Sequence, residues 1–491
     1  MEVLQRTANR GSISTGEYEI ANSLKTEADN SEYLYRVISS GGNRKTWTIS
    51  AWVKRTELVT SDGGTTIFAV NVSGNEGCLV RWSRENANYY DAIQIDIGAG
   101  GTNSRSYTTS VYRDTSAWYH IVLAVDTTQS TATDRFKLYV NGVLITDYAS
   151  RNNPAQNFDT SNNQAANSCT QHIGAYTSGG QVYGKHSGYF AEVHHIDGTA
   201  YAASDFGEYD DDSGIWKPKA FSGSYGTNGF YLDFEDNTSA GKDTSGNNNN
   251  FSDTNLNAAD HATDTPTNNF CTMNPYAPYL YRIIATSDFT NGATQITKTN
   301  SNAWCGAIGT MGVKSGKWYY EARVNDNDNL MLGFSTFTGD TGANQSPHTI
   351  GTNIVWYGGN VSGSYWFYHI DSGSQVSNSS NRGTVWSNGD VLGVALDIDN
   401  SRIDFYVNGS LAGSPNTNVD ISAVVNEIDS KGDFLIPFIG MWRSQFKLNF
   451  GGYTTHTISS AATDENGYGT FEYAPPSGYY ALCTKNLAEY G

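Results

Sequence analysis

Three carboxylates crowd one short stretch near the amino end of the chain: Glu27, Asp29 and Glu32, in EADNSE. Paired carboxylates flanking a sugar linkage are the chemistry of glycosidic-bond cleavage, one as acid and one as base or nucleophile. That chemistry needs a true strand to aim the groups and a concave cleft to hold the sugar. Ala28, Asn30 and Ser31 between them are poor strand formers. The stretch is therefore read as a solvated turn, and no catalytic residue is assigned.

The other candidate chemistries are weighed in the same way. DIDNSRID (397–404) has the look of a calcium loop, but an EF-hand needs Gly at its sixth position and Glu at its twelfth. Arg402 and Asn408 stand there, which favours a hairpin turn between buried strands. NDNDN (325–329) fails the same test. The acidic run DFGEYDDDSG (205–214), and Asp62 with Asp126, offer hard oxygen ligands from loops, so Ca²⁺ is the one cofactor the pattern allows. A solvated loop explains the same residues. His194 and His195 are adjacent, and neighbouring strand residues point to opposite faces. They cannot easily share an ion, and one is expected in the core and the other on the surface. The five cysteines (78, 169, 271, 305, 483) have no paired spacing, which reads as reduced thiols and argues against zinc. There is no G-x-S-x-G and no phosphate-cradling glycine pattern. The chain is expected not to be an enzyme.

Aromatic residues are the better candidates. VWYGGNVSGSYWFYHI (355–370) places Trp356, Tyr357, Tyr365, Trp366 and Tyr368 among Gly and Ser turns, and Trp386, Arg382 and Trp442 belong to the same part of the chain. Aromatic faces stack on the apolar face of a sugar ring, while polar neighbours bond its rim. Alternate residues, Trp366 with Tyr368 or Tyr365 with Phe367, could equally pack a core. In the first half, Tyr89, Tyr90, Tyr107 and Tyr112 sit on loop-rich stretches that could meet glycans.

The elements that must position these residues are strands. Of the 491 residues, 13% are aromatic and only 16% charged, with 51 Gly. This favours strands and turns over helices. TWTISAWVK (46–54) alternates Trp47, Ile49, Ala51 and Val53 against Thr46, Thr48, Ser50 and Trp52. AWYHIVLAVD (117–126) and YFAEVHHIDG (189–198) continue the pattern. SGKWYYEARV (315–324), MLGFST (331–336), GDVLGVALDIDNSRIDFYVNG (389–409) and FLIPFIGMW (434–442) repeat it in the second half. RFKLYVNGVLI (135–145) and RIDFYVNGSLA (402–412) share Tyr-Val-Asn-Gly, and each reads as a hairpin with an Asn-Gly turn.

Length alone suggests about three domains. The strand pattern divides the chain into an amino-terminal arm (1–12), a sandwich (13–210), a turn-rich connector (211–290), a second sandwich (291–452) and a tail (453–491). Connector and tail carry too many aromatics for free linkers and should pack on the domains. A net charge of −19 and a pI near 4.8 argue against a nucleic-acid partner, which needs clustered Lys and Arg. No run reaches 18 apolar residues, so no membrane insertion is expected. MEVLQRTANRGSISTGEYEI has no apolar signal segment.

TWTISAWVK, WYHIVLAVD, RFKLYVNGVLI, IGAY (173–176) and GYFAEVHHIDG resemble the laminin-G-like, concanavalin-A-type jelly roll. SGKWYYEARV, MLGFST, GDVLGVALDIDNSRIDFYVNG and FIGMW resemble a SPRY domain. The fold class implied is all-β: two antiparallel jelly-roll-type sandwiches, concanavalin-A-like then SPRY, joined by the connector. The phrases GNRKTWTISAWVKR, GIWKPKAFSGSYGTNGFYLDF, GKDTSGNNNNF, DTPTNNF and PPSGYYALCTKNL look like bacteriophage virion proteins, tail-fibre-like and capsid-associated ones. That resemblance implies a virion-surface location after assembly in the host cytoplasm, other virion proteins as partners, a host-surface glycan or other receptor, and a homo-oligomer, a trimer by the fibre likeness. A capsid decoration protein with a purely structural role is the alternative. No heptads encode a shaft.

Overall fold

The computed structural model describes residues 18–58, 64–72, 75–85, 88–99, 102–165, 169–211, 213–276, 288–298, 304–326, 329–336, 351–358, 363–371, 374–377 and 383–491. It divides into two units, one of residues Ser14–Thr267 and one that includes Asn268–Gly491. Each is an antiparallel sandwich, the fold class read from the sequence.

In the first unit, one sheet runs in the order 143–144, 136–140, 118–126, 46–55, 188–197, 23–26, 261–262, with 230–232 beside 188–197. The other runs 148–150, 102–111, 92–99, 75–82, 65–72, 169–173, 33–37, 252–254. The alternation in Thr46–Arg55 does what it predicts for one face: Trp47, Ile49, Ala51 and Val53 enter the core between the sheets. The opposite face is also buried, with Thr48 and Ser50 at 0% exposure. The reason is the segment after residue 198. Ala203, Phe206, Tyr201, Trp216, Phe221 and Tyr225 form an aromatic layer over Val122 and Ile196 on that outer face. Three pieces of the expected connector, Phe230–Leu232, Ser252–Thr254 and His261–Ala262, are strands of the first sandwich.

In the second unit, a nine-stranded sheet runs 289–290, 295–298, 444–449, 317–326, 391–397, 402–407, 410–411, with 419–420 and 480–481 attached at its side. A six-stranded sheet runs 305–308, 436–441, 330–335, 353–358, 365–370, 374–377. The helix Ser422–Lys431, which the strand-dominated reading did not anticipate, buries Val424 and Ile428 in this core and ends at Gly432 in the left-handed region. The tail folds back on the same unit. Tyr480–Ala481 pairs parallel with Lys317–Asp326, and Phe471 and Cys483 are fully buried. Glu321, itself at 0% exposure, accepts the backbone N–H groups of Glu472 and Tyr473 at 2.9 Å each. Tyr319 Oη (3.2 Å) and Asn449 Nδ2 (3.2 Å) complete a four-donor cradle.

The doubled Tyr-Val-Asn-Gly is one local device used twice. Asn141 and Gly142 have φ of 48° and 78°, and Asn408 and Gly409 have 49° and 75°, the double-positive pattern of a tight hairpin. In each case the Asn side chain accepts a backbone N–H from the neighbouring strand: His120 at 2.7 Å and Val391 at 2.9 Å. In each case a later aromatic lies on the glycine. A Cβ on Gly142 would meet Trp216 at 2.4 Å, and one on Gly409 would meet Tyr473 at 2.4 Å.

Candidate functional site

The stretch 355–370 forms two strands, Asn353–Gly358 and Tyr365–Ile370, paired so that Trp356 faces Trp366 and Tyr357 faces Tyr365. Alternation then divides its aromatics between two faces. Trp356 and Trp386 turn inward. They are 0% and 1% exposed, meet at 4.4 Å in a T-shape, and Trp356 stacks on Phe405 at 4.8 Å. Both are core residues, which corrects their candidacy as ligand contacts. Trp366 and Tyr368 stack on each other at 5.9 Å and pack against the same core from its edge. The Trp366 indole donates to the Pro415 carbonyl at 2.9 Å. These two also serve packing.

Tyr357 and Tyr365 turn outward. Their rings meet at 5.1 Å and 71° above a floor of Ile308, Met331, Val355, Phe367, Ile436 and Phe438. Trp304 stands 5.9 Å from Tyr357 and 6.0 Å from Trp442. The register explains the tryptophan pair: Cys305 faces Met441, so the next residues outward, Trp304 and Trp442, come together on the outer face. Asn329, at φ 49°, anchors the group. Its Oδ1 accepts the Tyr357 hydroxyl at 2.6 Å and its backbone carbonyl accepts the Trp442 backbone N–H at 3.2 Å. Four half-buried aromatics thus form a shelf on the outer face of the six-stranded sheet. Trp304 was missed in the sequence because nothing local marks it; only the pairing of 305–308 with 436–441 does. Arg382 lies outside the described residues.

The four tyrosines of the first unit do not converge. Tyr107 is buried, stacks on Tyr89 at 4.2 Å and 6°, and donates its hydroxyl to Glu85. Arg105 joins Asp96 at 2.8 Å and also bonds Glu85. Tyr90 lies under the Arg84 guanidinium at 5.0 Å. Tyr112 packs on Trp82 at 5.7 Å and Tyr119 at 5.6 Å, so it belongs to the core edge. Tyr107 and Tyr112 are structural, a second correction.

The carboxylate trio also differs from its expectation. A turn is present, closed by Glu32 N–H to the Glu27 carbonyl at 3.2 Å, but it is not solvated. Glu27 and Glu32 are 4% and 3% exposed. Lys25 Nζ lies 2.8 Å from Glu32 and 2.7 Å from Asp260, and Asn30 donates to Glu32 at 2.9 Å. Ser187 donates to Glu27 at 2.9 Å. Burial pushes the Glu32 carboxyl up while the Lys25 ammonium pulls it down. Asp29 alone is exposed. The turn crosses from one sheet to the other, and residue 260 closes over it, which no local pattern foretells.

Both histidines are buried, not one, because the later aromatic segment covers the outer face of strand Gly188–Asp197. His195 lies inside against Phe68 and Phe230, and burial holds it down to about 3. His194 lies outside, stacked on Tyr231 at 4.3 Å and bonded to the Tyr225 hydroxyl at 2.9 Å. Of the weak metal candidates, Asp62 lies outside the described residues. Asp126 accepts Thr128 N–H at 3.0 Å, Thr128 Oγ1 at 2.6 Å and Gln129 Nε2 at 2.6 Å, so it caps its own turn. Asp210 in the acidic run does the same for Ser213, at 2.8 Å, and bonds Lys217. Among the described residues no three His, Cys, Asp or Glu side chains are grouped to hold a metal. No described helix is long and apolar enough to cross a membrane.

Comparison with known proteins follows the same division. Residues 30–193 match the Laminin_G_3 family, described as the concanavalin A-like lectin/glucanases superfamily. Residues 317–453 match the SPRY domain. The chain therefore carries a concanavalin A-like domain and a SPRY domain. A probable ATP-dependent RNA helicase, ddx1 of Dictyostelium discoideum, is 29% identical over 158 residues, which are 32% of this chain and 17% of the helicase. Solved structures of similar fold include a putative carbohydrate binding protein from Bacteroides ovatus (16% identity, 48% of this chain and 58% of that one, TM-score 0.33). The SPRY domain of human HERC1 (16%, 32% and 87%, 0.22) and a native heptameric SAP-like pentraxin from Limulus polyphemus (13%, 38% and 80%, 0.28) are others. None of these four is described as a virion component.

Proposed function

We propose that the chain is a non-enzymatic binding protein that grips carbohydrate through the aromatic shelf of Tyr357, Tyr365, Trp304 and Trp442. The observation that carries this reading is the outward pair Tyr357 and Tyr365 over an apolar floor, with Tyr357 anchored by Asn329. Rigid aromatic faces offer a sugar ring stacking area at low entropic cost. Both domains are of binding-type folds, and the burial of Glu27 and Glu32, with Glu32 ion-paired to Lys25 and Glu27 bonded to Ser187, supports the non-enzymatic part.

The finer reading is a phage virion surface protein that contacts a host-surface glycan. It rests on the connector phrases and on no comparison. A shallow shelf of this kind gains strength through copy number, since linked sites add about 10²–10⁴-fold without new contacts. A homo-oligomer is part of that reading. A glycan array tests the core of the proposal: saturable binding to a defined sugar set is expected. Uniform silence, with tight binding to capsids instead, would favour the decoration role.

A further inference from the structure

The Gly- and Asn-containing phrases that the sandwich pattern leaves unused, GSYGTNG (223–229) and TSGNNNN (244–250), lie together. They bound an open groove of about 470 Å³ in the first unit, lined by residues that include Ser224, Tyr225, Thr227, Ser245 and Asn247. The groove lies outside the stretch that matches the concanavalin A-like family.

Its two walls are rigid. Asp197, at 8% exposure, accepts the Asn228 N–H at 2.9 Å and its own N–H donates to the Tyr225 carbonyl at 2.9 Å. Asp243, at 6%, accepts Ser245 N–H at 2.9 Å and Asn249 N–H at 2.7 Å. The walls are tied to each other by side-chain amides. Asn247 Nδ2 donates to the carbonyls of Gly226 (2.7 Å) and Gly229 (2.9 Å), and Asn249 Nδ2 to those of Thr227 (3.0 Å) and Gly229 (2.8 Å). Gly226 must stay glycine, because a Cβ there would stand 2.0 Å from the Asp197 carbonyl. Tyr225 is fixed from behind by His194.

What this frame presents is neutral. Asn247 has its amide nitrogen bound, which leaves its carbonyl oxygen. Among the described residues no hydrogen bond engages the Ser224 or Thr227 hydroxyl. The lining contains no Lys, Arg, Asp or Glu, so nothing compensates a charged ligand's lost hydration. Neutral donors and acceptors held in place by the two walls match a ligand that carries many hydroxyls and no charge. We propose that this groove is a second binding site, for a neutral saccharide of one or two rings. It shares its ligand class with the proposed function but uses other residues in the other unit, so either can fail alone.

The test uses the full chain carrying Tyr357→Ala and Tyr365→Ala, which removes the shelf. Saturation-transfer NMR is recorded with cellobiose, maltose and lactose, and with the acidic sialyllactose. At least one neutral disaccharide is expected to bind, with a Kd on the order of 1 mM, and Ser224→Trp is expected to weaken it at least about tenfold. Ser224→Ala with Thr227→Val, which leaves all wall bonds in place, should weaken it severalfold. Silence with all three neutral sugars, equal response to sialyllactose, or binding indifferent to both groove variants would overturn the inference. Binding that disappears with the shelf variants alone would assign the sugar to the shelf.

Discussion

Replacing Glu321 by Gln gives the sharpest test of how the tail is held. The carboxyl is fully buried, receives four donors and has no cation among the partners that hold it. Burial pushes it from 4.5 up to about 7, with the backbone N–H groups of Glu472 and Tyr473 pulling it back. A carboxyl raised on folding contributes stability that is fully present below its unfolded value of 4.5 and is lost as pH rises through about 7. At about 1.4 kcal/mol per tenfold change in proton affinity, the difference between the limits is ~3 kcal/mol. Gln keeps the volume and one acceptor oxygen but cannot titrate. The assay is urea unfolding of the full chain at several pH values, read by pulse proteolysis and mass spectrometry of peptides from 268–491. The wild type should lose stability between pH 4.5 and 8 relative to the variant, so the two midpoints converge or cross as pH rises. Parallel midpoints across that range would show that the Glu321 carboxyl does not titrate with a raised pKa in the folded chain.

Other expectations concern the first unit. His120, His186 and His195 are held down to about 3 by burial. Below about 6.5 the unfolded chain takes protons the folded one refuses, so stability falls as pH drops from 6.5 towards 3, by ~5 kcal/mol per group at the limit. Acid melts followed on peptides from 14–267 check this, and His195→Gln should reduce the slope. Lys25→Met leaves Glu32 and Asp260 buried without their shared cation and should cost about 3–5 kcal/mol, read as a lower urea midpoint. Gly142→Ala costs about 1–2 kcal/mol for the left-handed backbone alone, plus the displacement of Trp216. Gly409→Ala should do the same to Tyr473, in each case visible as a lowered Tm.

The strands and both hairpins were legible in the sequence because their causes are local. Alternation in 46–54 and the Asn-Gly turns act within a few residues. The division of the aromatic stretch was half legible: alternation separates Tyr357 and Tyr365 from Trp356 and Trp366, but not which set faces the core. That depends on the second sheet. Trp304 and Trp442 meet through strand register, and Lys25, Glu32 and Asp260 meet through a closure spanning more than two hundred residues, neither of which composition reveals. The buried outer face of Gly188–Asp197 was hidden for the same reason. The aromatic content of the covering segment foretells that it packs on a domain, but its aromatics follow no period, so the sequence does not say which face it covers.

The most direct measurement is calorimetric titration of the sugar chosen by the glycan array into the wild type and into Tyr357→Ala/Tyr365→Ala, with reducing ends assayed in the same cells. Binding that the double variant weakens at least about tenfold, or ~1.4 kcal/mol, is expected, with no release of reducing ends. Sugar release abolished by Glu32→Gln, or affinity indifferent to both tyrosines, would contradict non-enzymatic binding at the shelf.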